Sequence, residues 1–151
     1  MSELATPETD PITSILVGDE PEVLAAIWVT VDVERVLAEI GQAGLQLPDD
    51  PLLGASVTLV TAPNGEPIAL LEPRTEGRIA ATLARGGEGP AGRYAAAPGG
   101  LASARLRAAA EGLSLSPEYD GPFGRSALVM AGPPAGPHLV LVEPPAGTID
   151  R

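Results

Sequence analysis

The feature that most limits what this chain can fold into is an internal repeat. Residues 33–47 read as an amphipathic helix, a Gly and a Leu-x-Leu run, ending Gly44-Leu45-Gln46-Leu47. The same order returns over residues 101–115, ending Gly112-Leu113-Ser114-Leu115, a shift of 68 (from Leu45 to Leu113). A second pair follows: residues 56–73 end in Leu70-Leu71-Glu72-Pro73, and residues 126–144 end in Leu141-Val142-Glu143-Pro144. Repetition outweighs single-residue propensity, because a unit that cannot cover its own apolar face is completed by its copy. Each half reads strand, helix, strand, strand, strand. The expected class is therefore α+β: two paired βαβββ modules forming a half-barrel that encloses a cleft.

Local signals fill in this frame. Residues 1–11 are acidic with almost nothing to bury and are expected to form a disordered tail. Residues 12–151 are expected to form a single domain, with module one at about 23–73 and module two at about 89–145. Strand-like runs occupy 12–17 and 23–31. Asp32 is placed to cap a helix at Val33–Ile40, where Val33, Val36, Leu37 and Ile40 recur at helical spacing. A short strand at 45–47 and a loop at 48–53 follow. Strands at 57–62 and 68–71 flank Asn64-Gly65, a hairpin signal. A helix at 78–85, a strand at 93–97, a helix at 101–111, a Pro/Gly-rich stretch, and strands at 126–131 and His138–Val142 complete the reading.

Composition removes whole function classes. Nine Arg, no Lys and 20 Asp/Glu give a net charge of −11, which repels nucleic-acid backbones and anionic lipid. With no Cys, disulfides, thiolate catalysis and Cys-bound metals are excluded. The longest apolar run, residues 23–31, is about half of a membrane span, and the first ten residues lack the apolar stretch of a signal peptide. A cytoplasmic protein is expected. Gly87-Glu88-Gly89-Pro90-Ala91-Gly92 imitates a dinucleotide-binding motif, but it follows a helix and precedes a strand, the reverse of the required order.

The βαβββ duplication resembles the vicinal oxygen chelate superfamily, which includes glyoxalase I, bleomycin-resistance proteins and extradiol dioxygenases. Within it the chain looks most like the methylmalonyl-CoA epimerases. Ala69-Leu70-Leu71-Glu72-Pro73, the crossover helix at 79–83, Arg85-Gly86-Gly87-Glu88-Gly89 and the last strand at 139–143 carry the likeness, which covers about residues 23–145. The resemblance implies four inward ligand positions for a divalent ion. Carried over, they fall at Ala26 (to within one residue), Ala69, Gly92 and Val140, none of which can coordinate a cation. No metal and no cofactor are therefore expected.

Alternation from those positions places Trp28, Thr30, Tyr94, Ala96, Leu71, His138 and Val142 on the cleft face. Trp28 and Tyr94 are expected as an aromatic wall, against the plainer reading of Trp28 as core. His138, the only His, is a candidate general acid/base, as are Tyr94, Glu118 and Asp120. Arg93, Arg125, Tyr119 and Thr30 join Trp28 and Tyr94 as candidate ligand contacts. Glu72 and Glu143, repeated after equivalent strands, read as structural. The expected activity is a metal-independent isomerisation, cyclisation, epimerisation or elimination on a small oxygenated or acyl compound. The all-Arg, Ala/Gly/Pro-rich composition resembles high-GC bacterial proteins, where such genes accompany natural-product pathways. The alternatives are a bleomycin-resistance-type protein that sequesters a small molecule, or a domain that serves only in assembly. A small-molecule ligand and a homodimer are the expected partners.

Overall fold

A computed structural model describes residues 16–18, 21–130 and 137–144. In chain order the elements are β1 (Val23–Val29), α1 (Val33–Ile40), β2 (Leu45–Asp50), β3 (Ala55–Thr61), β4 (Pro67–Pro73), α2 (Arg78–Gly86), β5 (Gly89–Ala96), α3 (Leu101–Ala110), β6 (Tyr119–Gly121), β7 (Gly124–Leu128) and β8 (His138–Val142). The strands form one mixed sheet ordered β2-β3-β4-β1-β5-β8-β7-β6. It curls into a nearly closed barrel, an α+β architecture of two βαβββ units joined by α2. In each unit the first and last strands run parallel: Ile27 pairs with Ala69 in β1–β4, and Tyr94 with Val140 in β5–β8. The units meet at the antiparallel β1–β5 ladder. Leu71 and Val142, matched by the repeat, both face the barrel interior.

Each sheet face has its own core. The interior is filled by Ala25, Ile27, Val29, Val57, Ala69, Leu71, Tyr94, Leu128, Val140 and Val142, closed at one end by Ile79 of α2 and by Leu53. Outside unit one, Trp28, Ile68 and Leu70 pack under Val36 of α1. Outside unit two, Ala95, Ala127 and Leu141 pack under Leu101, Ala104 and Ala108 of α3, whose small side chains suit a close approach to the sheet. α1 begins as its sequence requires: the Asp32 side chain accepts the Arg35 N–H at 3.2 Å, and Gly41 takes the left-handed conformation that ends the helix.

The repeated glutamates have one job in both units. Glu143 Oε1 accepts the Leu101 N–H at 2.7 Å, at the start of α3; Glu72 Oε1 accepts the Val33 N–H at 3.4 Å, at the start of α1. The first amides of a helix lack internal acceptors. α3 has Gly100 at its N-cap with no side-chain bond there, so a carboxylate from the last strand supplies what the local sequence lacks.

Several expectations need correction. Leu16 and Val17 are helical rather than strand, buried in the core outside unit two; residues 1–15 lie outside the described residues. β2 runs on through Pro48 to Asp50 where a loop was expected. The stretch holding Tyr119 and Asp120 is strand β6, hairpinned to β7, not a loop. Leu115 forms only an isolated bridge to Val129.

Candidate functional site

The free edges of the sheet are β2 and β6, and the site lies where they approach each other. Asp50 closes β2 and is fully buried. Its Oδ1 accepts the N–H groups of Leu52 (3.1 Å) and Leu53 (2.9 Å), an Asx-type turn at Asp50-Pro51-Leu52-Leu53. Its Oδ2 accepts the Tyr94 hydroxyl from β5 at 2.7 Å and the Tyr119 hydroxyl from β6 at 3.2 Å. Phe123 packs on Tyr94 with centroids 4.9 Å apart. The chain has one Trp, two Tyr and one Phe, so three of its four aromatic rings gather at one carboxylate.

Burial sets the electrostatics. It pushes the Asp50 carboxyl above its ordinary value, although the bonds from Leu53, Tyr94, Tyr119 and Leu52 oppose it. It also raises Tyr94 well above its ordinary value, helped by the Asp50 charge, and raises Tyr119 for the same reasons. Both phenols therefore stay protonated donors. His138 is on the same face of β8 as Val140 and Val142. Its Nε2 lies 2.9 Å from Thr82 Oγ1 of α2, and burial, then the charge of Arg78, lowers it to about 4.

The structure brings Tyr94 and Tyr119 together at Asp50, keeps His138 on the inward face, and turns the other candidates elsewhere. Trp28 lies on the outer face beneath α1 rather than in a cleft wall with Tyr94. Among the described residues its Nε1 finds no hydrogen-bond partner. The interior phase of β1 is Ala25, Ile27 and Val29, one residue from the expected Ala26, Trp28 and Thr30. A slip of one residue exchanges the faces of a strand, and a strand apolar on both sides gives no alternation to detect it. Thr30 follows β1, donating its hydroxyl to Glu88 at 2.7 Å. Arg93 precedes Tyr94 and so takes the opposite face of β5. Arg125 is exposed and pairs with Glu118 (3.1 Å) and Asp120 (3.6 Å), placing all three in a surface ion-pair cluster. Asp50 was missed because it fell in an expected loop; the Asp-Pro-Leu-Leu-Gly turn was the available signal.

The metal positions of the resemblance are also refined. Ala69 and Val140 face inward as expected. Their partners across the parallel ladders are Ile27, within one residue of Ala26, and Tyr94, which shares its face of β5 with Gly92. A side chain at Gly92 would meet the His138 carbonyl oxygen at 1.9 Å. Ile27, Ala69, Gly92 and Val140 offer no side-chain donor atom, and the Tyr94 hydroxyl keeps its proton while donating a hydrogen bond to Asp50. That donor set does not fit a divalent ion.

No family model and no curated protein matches the chain. Its fold does match solved structures. The Mycobacterium tuberculosis methylmalonyl-CoA epimerase superposes with TM-score 0.65 at 19% identity, over 85% of this chain and 91% of the other. A hypothetical protein of Bacillus halodurans gives 0.62 at 16%, over 85% and 99%. A Streptomyces coelicolor methylmalonyl-CoA epimerase variant in complex with 2-nitronate-propionyl-CoA gives 0.59 at 16%, over 83% and 100%. The repeat, the paired parallel ladders and these superpositions agree: the chain has the vicinal oxygen chelate fold, as the methylmalonyl-CoA epimerases do.

Proposed function

We propose that this protein is a metal-independent enzyme of the isomerase type, moving a proton on a small oxygenated or acyl compound bound at the β2–β6 gap beside Asp50. The observation that carries this reading is the buried Asp50 carboxyl held by two phenols. Burial brings its proton affinity upward, toward the range where a carboxyl both takes and returns a proton. Tyr119, half-buried and on the longer 3.2 Å bond, is the donor a substrate carbonyl displaces most readily. Its hydroxyl would then hydrogen-bond the carbonyl oxygen as negative charge develops there, while Asp50 takes the adjacent carbon-bound proton and Tyr94 holds the carboxylate in place. His138, on the same face, is the second proton-transfer candidate. Epimerisation, keto-enol isomerisation, and the cyclisations and eliminations that proceed through an enolate share that first step.

The test is hydrogen exchange at carbon. Acyl thioesters and small oxygenated ketones are incubated with the protein in deuterium oxide and examined by mass spectrometry. Deuterium uptake that survives a chelator and is lost in a folded Asp50→Asn variant supports the reading. Uptake that disappears with the chelator rejects it. The second reading is sequestration of a small molecule, favoured by the Tyr94, Tyr119 and Phe123 rings. Calorimetric binding of a ligand that is recovered chemically unchanged, lost in a folded Tyr119→Ala variant, selects it. Either activity would fit a homodimer covering the exposed Leu45 on edge strand β2.

A further inference from the structure

α2 joins the two units and lies across one end of the barrel, with Ile79 buried in the interior. The Ile79 N–H bonds the Leu53 carbonyl at 3.2 Å, next to the turn that holds Asp50. One turn further along α2, Thr82 donates its hydroxyl to the Arg78 carbonyl at 2.9 Å, the i to i−4 back-bond open to a helical Thr. A hydroxyl has a single proton. With that proton on the Arg78 carbonyl, the contact of 2.9 Å between Thr82 Oγ1 and His138 Nε2 requires the ring to be the donor.

We propose that Thr82 is a positioning residue that fixes His138 as the Nε2–H tautomer, leaving Nδ1 as the ring's proton acceptor. This deepens the enzymatic reading above and rests on it for the consequence in turnover, though not for the tautomer itself. Nδ1 is the nitrogen with a lone pair to offer a reacting proton, and α2, not the sheet, decides that it is so. Gly92 contributes from the other side: with no Cβ, it lets β5 lie against the His138 backbone, where any side chain would collide. Burial first, and then the charge of Arg78, keep the ring neutral.

The chain contains one His, so uniform ¹⁵N-histidine labelling gives a single ring spin system in the resting protein. Long-range proton–nitrogen correlation should show one tautomer, protonated at Nε2, in the wild type and in Thr82→Ser. Thr82→Val should give a mixture or the opposite tautomer. With a substrate identified by the exchange assay, Thr82→Val should lower kcat at least tenfold with KM unchanged, and Thr82→Ser should restore it. A wild-type ring protonated at Nδ1 overturns the proposal with no variant needed, as does a folded Thr82→Val protein with an unchanged ring spectrum. Exchange lost or absent in the assay bears on Asp50 and the reaction; the ring spectrum bears only on Thr82 and His138.

Discussion

At the scale of single residues, what separates a core group from a site group is whether its polar atoms have been provided for. Trp28 is nearly buried under α1, and among the described residues its Nε1 lacks a partner. A buried N–H without an acceptor costs about 1–3 kcal/mol, so Trp28→Phe trades lost contact area against that penalty. Its thermal unfolding should show a stability within ~1 kcal/mol of wild type, against a loss of ~3–5 kcal/mol for Trp28→Ala. Neither should change ligand binding beside Asp50. Asp50 is the opposite case, with two amides and two phenols depending on its oxygens. Asp50→Leu strands all four, and denaturant titration should show a loss of about 2–5 kcal/mol. Asp50→Asn keeps an acceptor for the amides and should unfold close to wild type. The contrast between these residues was beyond the reach of the sequence. Val23–Val29 is apolar on both faces, so nothing in its pattern distinguishes Ile27 from Trp28 as the inward residue. Tyr94 was legible because it lies two residues from Gly92, a position the resemblance carried over, and so shares its face.

Elements were more legible than faces, and the reason is chemical. α1 carries its own cap, periodicity and terminating Gly, so its bounds follow from local interactions. β6 is only three residues long, within a Pro/Gly-rich stretch, and exists because β7 lies beside it. That information is not local. The glutamate caps show how one repeat motif acts at this scale. Glu143→Ala should lower stability by ~0.5–2 kcal/mol, measured by thermal unfolding, with α3 losing amide protection first. Glu72→Ala should have a smaller effect, because Asp32 also caps α1 and the Glu72 bond is longer. Gly92 sits where β5 lies directly against the His138 backbone. Gly92→Ala combines a φ of +139° with a collision against β8, and should destabilise by ~2–4 kcal/mol in a denaturant titration. His138 resonances should shift in that variant even where the fold survives.

For the whole molecule, two carboxyls make opposite contributions to stability against pH. Glu88, bonded first by Thr30 and then by Val31 N–H and Arg35, is held down from 4.5 to about 2. Its contribution is complete above pH 4.5 and is lost as pH falls toward 2. Asp50 is raised, so the stability it adds is present in acid and fades as pH rises through its folded value. Thermal unfolding across pH should therefore show Glu88→Gln flattening the acid side of the profile and Asp50→Asn flattening the side above it. The order of the units and the half-barrel were legible because the repeat is a global signal; the degree of closure was not. Seven backbone ladders join the eight strands, whereas a phenol–carboxylate contact bridges β2 to β6. Mechanically the barrel is a split ring. Such a ring is stiff along its length and compliant only at its gap. Its bore can widen by parting the Asp50–Tyr119 bridge while every ladder stays intact.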